Sequence, residues 1–135
     1  MATETTIRLV DQLERAGFIV TLEAEQEHIP VRGNAMASGD DEQDRAVEDE
    51  IIERLNNGDV WAWASVRVAV SHDDIPSIEG DDYLGGCCYA DEADFREPGG
   101  YFDDMVRSAL DEWIVQVERI GANVDRVLTL ANACL

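Results

Sequence analysis

The run Val60-Trp61-Ala62-Trp63-Ala64-Ser65-Val66-Arg67-Val68-Ala69-Val70 alternates with a period of two. One side carries Val60, Ala62, Ala64, Val66, Val68 and Val70; the other carries Trp61, Trp63, Ser65, Arg67 and Ala69. Successive side chains of a strand point to opposite faces, so the run predicts a strand with one wholly small, apolar side. Small side chains let a helix approach closely, and a helix is expected across that side. Trp61, Trp63 and Arg67 allow two readings. They are either an exposed interface hot spot, since Trp and Arg dominate interface energetics, or the second side of a covered sheet.

Working outward, Ile7, Val10 and Leu13 recur at helical spacing and Gly17 sits where a C-cap glycine belongs, which predicts a helix over Thr3–Ala16. Phe18, Val20, Leu22 and Ala24 alternate with Thr21 and Glu23, predicting a strand over Phe18–Ala24. The stretch Glu25–Asp41, with Pro30, Gly33 and Gly39, reads as a loop. A second helix is expected from Asp40 or Asp41 to Asn56-Asn57-Gly58, with Val47, Ile51, Ile52 and Leu55 on its apolar side. After the central strand come a charged loop, Ser71–Asp82, a shorter strand, Tyr83–Tyr89, and a helical region from about Tyr101 to the C-terminus. The expected fold is α+β in the order α-β-α-β-β-α. It is a single domain over residues 1–135 with a three-stranded antiparallel sheet and the last helix on the all-small side of the central strand.

In that last segment Val106, Leu110, Trp113, Val117, Ile120, Val124, Val127 and Ala131 are spaced alternately four and three residues apart, the seam of a coiled coil. The seam either packs across the sheet, in one helix or in two broken at Gly121, or its exposed end serves self-association, giving a possible homodimer.

Charge dominates the rest. The 135 residues hold 30 Asp plus Glu against 10 basic residues, all arginine, for a net charge of -20. The mean hydropathy is only -0.24, so the chain is not one that stays disordered. Direct binding to DNA, RNA or an anionic membrane surface is nearly excluded, because those ligands need a positive field. The acids come in blocks: residues 40–59 sum to -7 and residues 73–104 to -10. Asp104, Asp111, Glu118 and Asp125 recur every seventh residue along one side of the last helix. Carboxylates one helical turn apart, such as Asp44 and Glu48, stand about 5–6 Å apart and could imitate phosphates. The alternative is a solvated acidic coat, although plain solubility does not require charges in blocks.

No catalytic constellation stands out, and no enzyme, cofactor or metal site is expected. His28, His72, Cys87 and Cys88 lack zinc-ligand spacing, and Ser38–Asp44 does not fit a calcium loop. A thiol in an apolar strand beside acidic loops has its pKa raised, which works against Cys87 or Cys88 as a nucleophile. Gly85 and Gly86 lack a phosphate-loop layout and suggest a bulge or a close backbone approach. There is no signal-peptide pattern and no apolar stretch near the roughly 20 residues of a spanning helix. Three cysteines without a disulfide framework point to a cytoplasmic chain with reduced thiols.

The segments IPVRGNAMASGDDEQDRAVEDEII (29–52), DVWAWASVRV (59–68) and DDYLGGCCYADEADFREPGGYFDDM (81–105) resemble those of small proteins encoded by bacteriophages and mobile elements. In size and charge the chain is similar to phage anti-defence proteins, anti-CRISPR and anti-restriction proteins among them, some of which mimic DNA. That resemblance implies a binding protein that blocks a nucleic-acid enzyme. It carries over no functional residue. The expected partner is a host DNA- or RNA-binding complex with a basic channel. The residues expected to meet it are Asp40, Asp41, Asp44, Glu48 and Asp49, then Asp73, Asp74, Asp81 and Asp82, with Asp104, Asp111 and Glu118 behind them. The alternative is an adaptor that binds through Trp61, Trp63 and the C-terminal helix.

Overall fold

A computed structural model describes residues 7–133; residues 3–6 of the expected first helix, Cys134 and Leu135 lie outside them, as do the side chains of Ala122, Val124, Asp125, Arg126, Leu128 and Asn132. The elements are α1 (Leu9–Arg15), β1 (Phe18–Gln26), α2 (Asp41–Asn56), a 3-10 turn (Val60–Ala62), β2 (Ala64–His72), β3 (Ile75–Cys87), α3 (Glu92–Phe95) and α4 (Tyr101–Ala133). The strands form one antiparallel sheet in the order β1-β2-β3. This is the expected α+β fold, with helices on a small sheet. The short α3 is an addition: Asp91 caps it by accepting from the Asp94 N–H, and it buries Phe95.

Several boundaries differ from the sequence expectation, β1 running on to Gln26 and β3 ending at Cys87 among them, and three differ for a local reason. Ile7 and Arg8 are not helical. Arg8 is extended, and its guanidinium donates to the Arg96 carbonyl and to Asp103, each at 2.6 Å. The alternating pattern begins before the central strand does. Asp59 accepts from the Trp61 N–H at 3.2 Å and winds Val60–Ala62 into a turn, so β2 starts at Ala64. Most of the expected loop Ser71–Asp82 is strand, because only Asp73 and Asp74 are needed to turn β2 into β3. Acids and Pro76 look like loop signals, but an edge strand with one face in water tolerates both.

The all-small side of β2 carries the last helix, as its residues suggest. Ala64, Val66 and Val68 pack with Val10, Leu13, Phe102, Met105 and Val106, while Phe18, Val20, Leu22 and Ala24 of β1 line the same side. Burying each side chain of Val or Phe size contributes about 1.5–3 kcal/mol. The closest approach falls on Gly80 of β3, where a Cβ would stand 2.1 Å from the Ala109 carbonyl oxygen and 2.5 Å from the Trp113 nitrogen. Glycine at that position lets α4 lie against β3.

α2 belongs to a second cluster. Ile51 packs with Val31, Ala62 and Trp63, flanked by Val47, Ile52 and Leu55, so α2 leans on the 3-10 turn and the loop before it.

Candidate functional site

The other face of the sheet meets water. Directly opposite residues of paired strands share a face, and the register sets Ile19 beside Ser71, Thr21 beside Ala69, Glu23 beside Arg67 and Glu25 beside Ser65. On the far side Arg67 pairs with Tyr83 and Ala69 with Asp81. Ile19, Thr21, Glu23, Glu25, Glu79 and Tyr83 are exposed. Arg67 is the hub. Its guanidinium pairs with Glu79, with Asp81 at 3.1 Å and with Glu23 at 3.9 Å, and lies 5.9 Å from the centre of the Tyr83 ring. Hydrogen bonding to Glu79 and Asp81 outweighs its partial burial and raises its pKa further. Glu23, Glu25, Ser65, Arg67 and Tyr83 line a depression of about 360 Å³. Four carboxylates from two flanking strands thus surround one arginine, leaving a local excess of three negative charges.

Of the residues expected to bind a partner, this face gathers only Asp81. Glu23 and Glu25 were not expected there. The alternation of β1 puts them on its outer side, but only the pairing register shows that this side faces Arg67.

The α2 block is corrected at two residues, Asp44 and Glu48. Asp44 and Glu48 are buried and hold the preceding loop onto the helix. Asp44 accepts from the Ser38 N–H at 3.1 Å and from its hydroxyl; Glu48, 6% exposed, accepts from the Gly33 N–H at 2.7 Å with Arg32 at 3.7 Å. They lie on one side of the helix, as their spacing requires, but that side faces inward, where loop amides need acceptors. Asp49 pairs with Arg32, and Asp40 caps the helix by accepting from the Gln43 N–H at 3.2 Å. Asp40, Asp41, Glu42, Asp49, Glu50 and Glu53 remain exposed.

The second block splits. Asp73 and Asp74 are exposed at the β2–β3 turn, where the Asp74 N–H donates to His72 Nδ1 at 3.0 Å. Asp82 lies opposite Val68, on the helix-bearing face. Asp104, Asp111 and Glu118 are exposed along α4.

The tryptophans are not a surface hot spot. Trp63 is 4% exposed, and its indole N–H donates to the Ile29 carbonyl at 2.7 Å. Trp61 is half-buried against Tyr89 and Phe95. Because the turn at Val60–Ala62 breaks the strand, both rings point into the two apolar clusters, and Trp63 offers no surface to a partner.

His72 and the thiols are also apart. His72 pairs with Ile75 at one end of β2 and Cys87 with Ala64 at the other, about 26 Å away along eight strand residues. Burial pushes the Cys87 thiol up to about 11. Gly86 adopts φ +64° at the bulge, and its N–H donates to Glu27 at 3.0 Å. That bond and those from the Ile29 and His28 N–H groups hold the Glu27 carboxyl below its ordinary range.

Among the described residues no helix is long and apolar enough to cross a membrane. Comparison with protein-family models, with curated proteins and with solved structures found no match. The functional reading therefore rests on the surface itself.

Proposed function

We propose that this chain is a non-catalytic inhibitor that occupies the basic nucleic-acid-binding surface of another protein, presenting the open sheet face in place of phosphates. The observation that carries this reading is the arrangement of Glu23, Glu25, Glu79 and Asp81 around Arg67 on a face that meets water. Along a strand, residues two apart are separated by about 6.6–6.8 Å. That is close to two steps of the roughly 3.4 Å axial rise between phosphates on one DNA strand. Arg67 holds three of these carboxylates in place, so less side-chain freedom is lost on docking.

The class of partner is a protein with an Arg/Lys-lined channel. A phage-type anti-defence protein in the host cytoplasm, acting on a restriction nuclease or CRISPR-type complex, would use this chemistry. The remaining field of a chain with net charge -20 would steer such a partner in, making association fast and sensitive to salt.

The test is capture from bacterial lysate on the immobilised chain. DNA- or RNA-binding proteins should be retained at low salt, released at high salt and displaced by duplex DNA. Retained proteins indifferent to both salt and DNA would contradict the reading.

A further inference from the structure

We propose that the distal part of α4, residues 114–133, pairs with the same segment of a second copy of this chain. α4 has 33 residues, about 50 Å of helix, whereas the nine residues of β2 span about 30 Å. Its first turns are core: Phe102, Met105, Val106 and Ala109 are buried. Gln116 still donates to the Glu79 carbonyl at 2.8 Å. Beyond it apolar side chains meet water, with Ile120 46%, Val127 61% and Leu130 62% exposed.

Such a helix needs a partner. Ile114, Val115, Val117, Ile120, Gly121, Val124, Val127 and Thr129 are all weak helix formers. Most helical stability in proteins comes from packing an apolar side rather than from propensity. The seam that packs on the sheet at Val106 and Leu110 continues without a break through Val117, Ile120, Val124, Val127 and Ala131. The positions flanking its distal half (Ile114, Gly121, Leu128 on one side; Gln116, Asn123, Leu130 on the other) are all uncharged. The apolar stripe is therefore wide, and it repeats with the period that two identical helices share.

Charge selects the occupant. In a chain of net charge -20, residues 114–133 hold Glu118 and Asp125 against Arg119 and Arg126, and are neutral. A basic partner is drawn to other surfaces, whereas a second copy meets no net repulsion here. Half the circumference of a helix about 10 Å wide, over about 30 Å, gives roughly 500 Å² per copy. A pair buries roughly 1,000 Å², the lower limit for a specific interface, so the dimer should be weak and concentration-dependent. The antiparallel arrangement keeps the two acidic bodies at opposite ends, beyond the roughly 8–10 Å Debye length.

Sedimentation of the full chain at physiological salt should show a monomer at low micromolar concentration and a dimer approached at high micromolar concentration. Ile120→Glu with Val127→Glu should remain monomeric throughout, with the thermal melt of the natural chain at low micromolar concentration, where both are monomers. Val115→Glu, on the outer side of the helix, should dimerise as the natural chain does. A natural chain that stays monomeric, or a seam variant that dimerises equally well, would overturn the proposal. Scattering that places the two bodies side by side would overturn the antiparallel arrangement.

Discussion

α2 and the open sheet face are both rich in carboxylates, yet they use them in opposite ways. On α2, Asp44 and Glu48 turn inward to accept hydrogen bonds from Ser38 and Gly33, and Asp40 caps the helix. On the sheet, Glu25 points into water, and Glu79, Asp81 and Glu23 are gathered by Arg67 on the exposed face. The first set closes a loop onto a helix, and the second is left as surface. Counting acids along the chain favours α2; strand register favours the sheet.

The largest effect should come from the support of α2. Trp63→Ala empties the centre of the second cluster and should cost about 3–5 kcal/mol, read by chemical denaturation with loss of helical signal. A cost below 1 kcal/mol would mean that α2 does not depend on that cluster. Next, Glu48→Ala removes the buried carboxylate that accepts from the N–H of exposed Gly33 and should cost about 0.5–1.5 kcal/mol. A neutral result would remove the distinction between inward and outward acids.

A smaller effect concerns pH. The Glu27 carboxyl has its folded pKa lowered below the ordinary 4.5, chiefly by the Gly86 N–H. For Asp103, burial pushes the carboxyl up, but the Gly99 N–H and Arg8 more than offset it and the net shift is downward. A group whose pKa is depressed by folding stabilises fully above its unfolded value, and the contribution is lost as pH falls through the folded one. Acidification also relieves the self-repulsion of a highly acidic chain, which acts the other way. The difference in stability between the natural chain and Glu27→Gln isolates the first effect. It should be constant near neutral pH and shrink as pH falls below the ordinary carboxylate range; a difference independent of pH would refute it. The smallest effect should be Glu23→Gln with Glu25→Gln, within about 0.5 kcal/mol of the natural chain.

The sequence makes much of this fold legible. Alternation in Val60–Val70 and Phe18–Ala24 places the core side of the sheet, and the all-small residues of β2 foretell the helix across it. What it hides is set by pairing and capping. The Asp59 cap turns Trp61 and Trp63 inward although the period of two persists through them. The acids of β3 disguise a strand as a loop. For the site, Arg67 and Asp81 can be named from sequence, but the ring they form with Glu23 and Glu25 exists only through the register of β1 on β2. Asp44 and Glu48 show the converse: helical spacing fixes that they share a side, and the loop ahead of them decides that it faces in.

The most direct test compares two variants of equal net charge in the lysate-capture experiment. Glu23→Gln with Glu25→Gln alters the sheet face, and Glu42→Gln with Glu50→Gln alters the outer side of α2; each brings the net charge from -20 to -18. The sheet-face variant should lose its DNA-displaceable partner at clearly lower salt, while the α2 variant should behave as the natural chain does. Equal shifts in both, or a larger shift in the α2 variant, would show that the sheet face is not the docking surface.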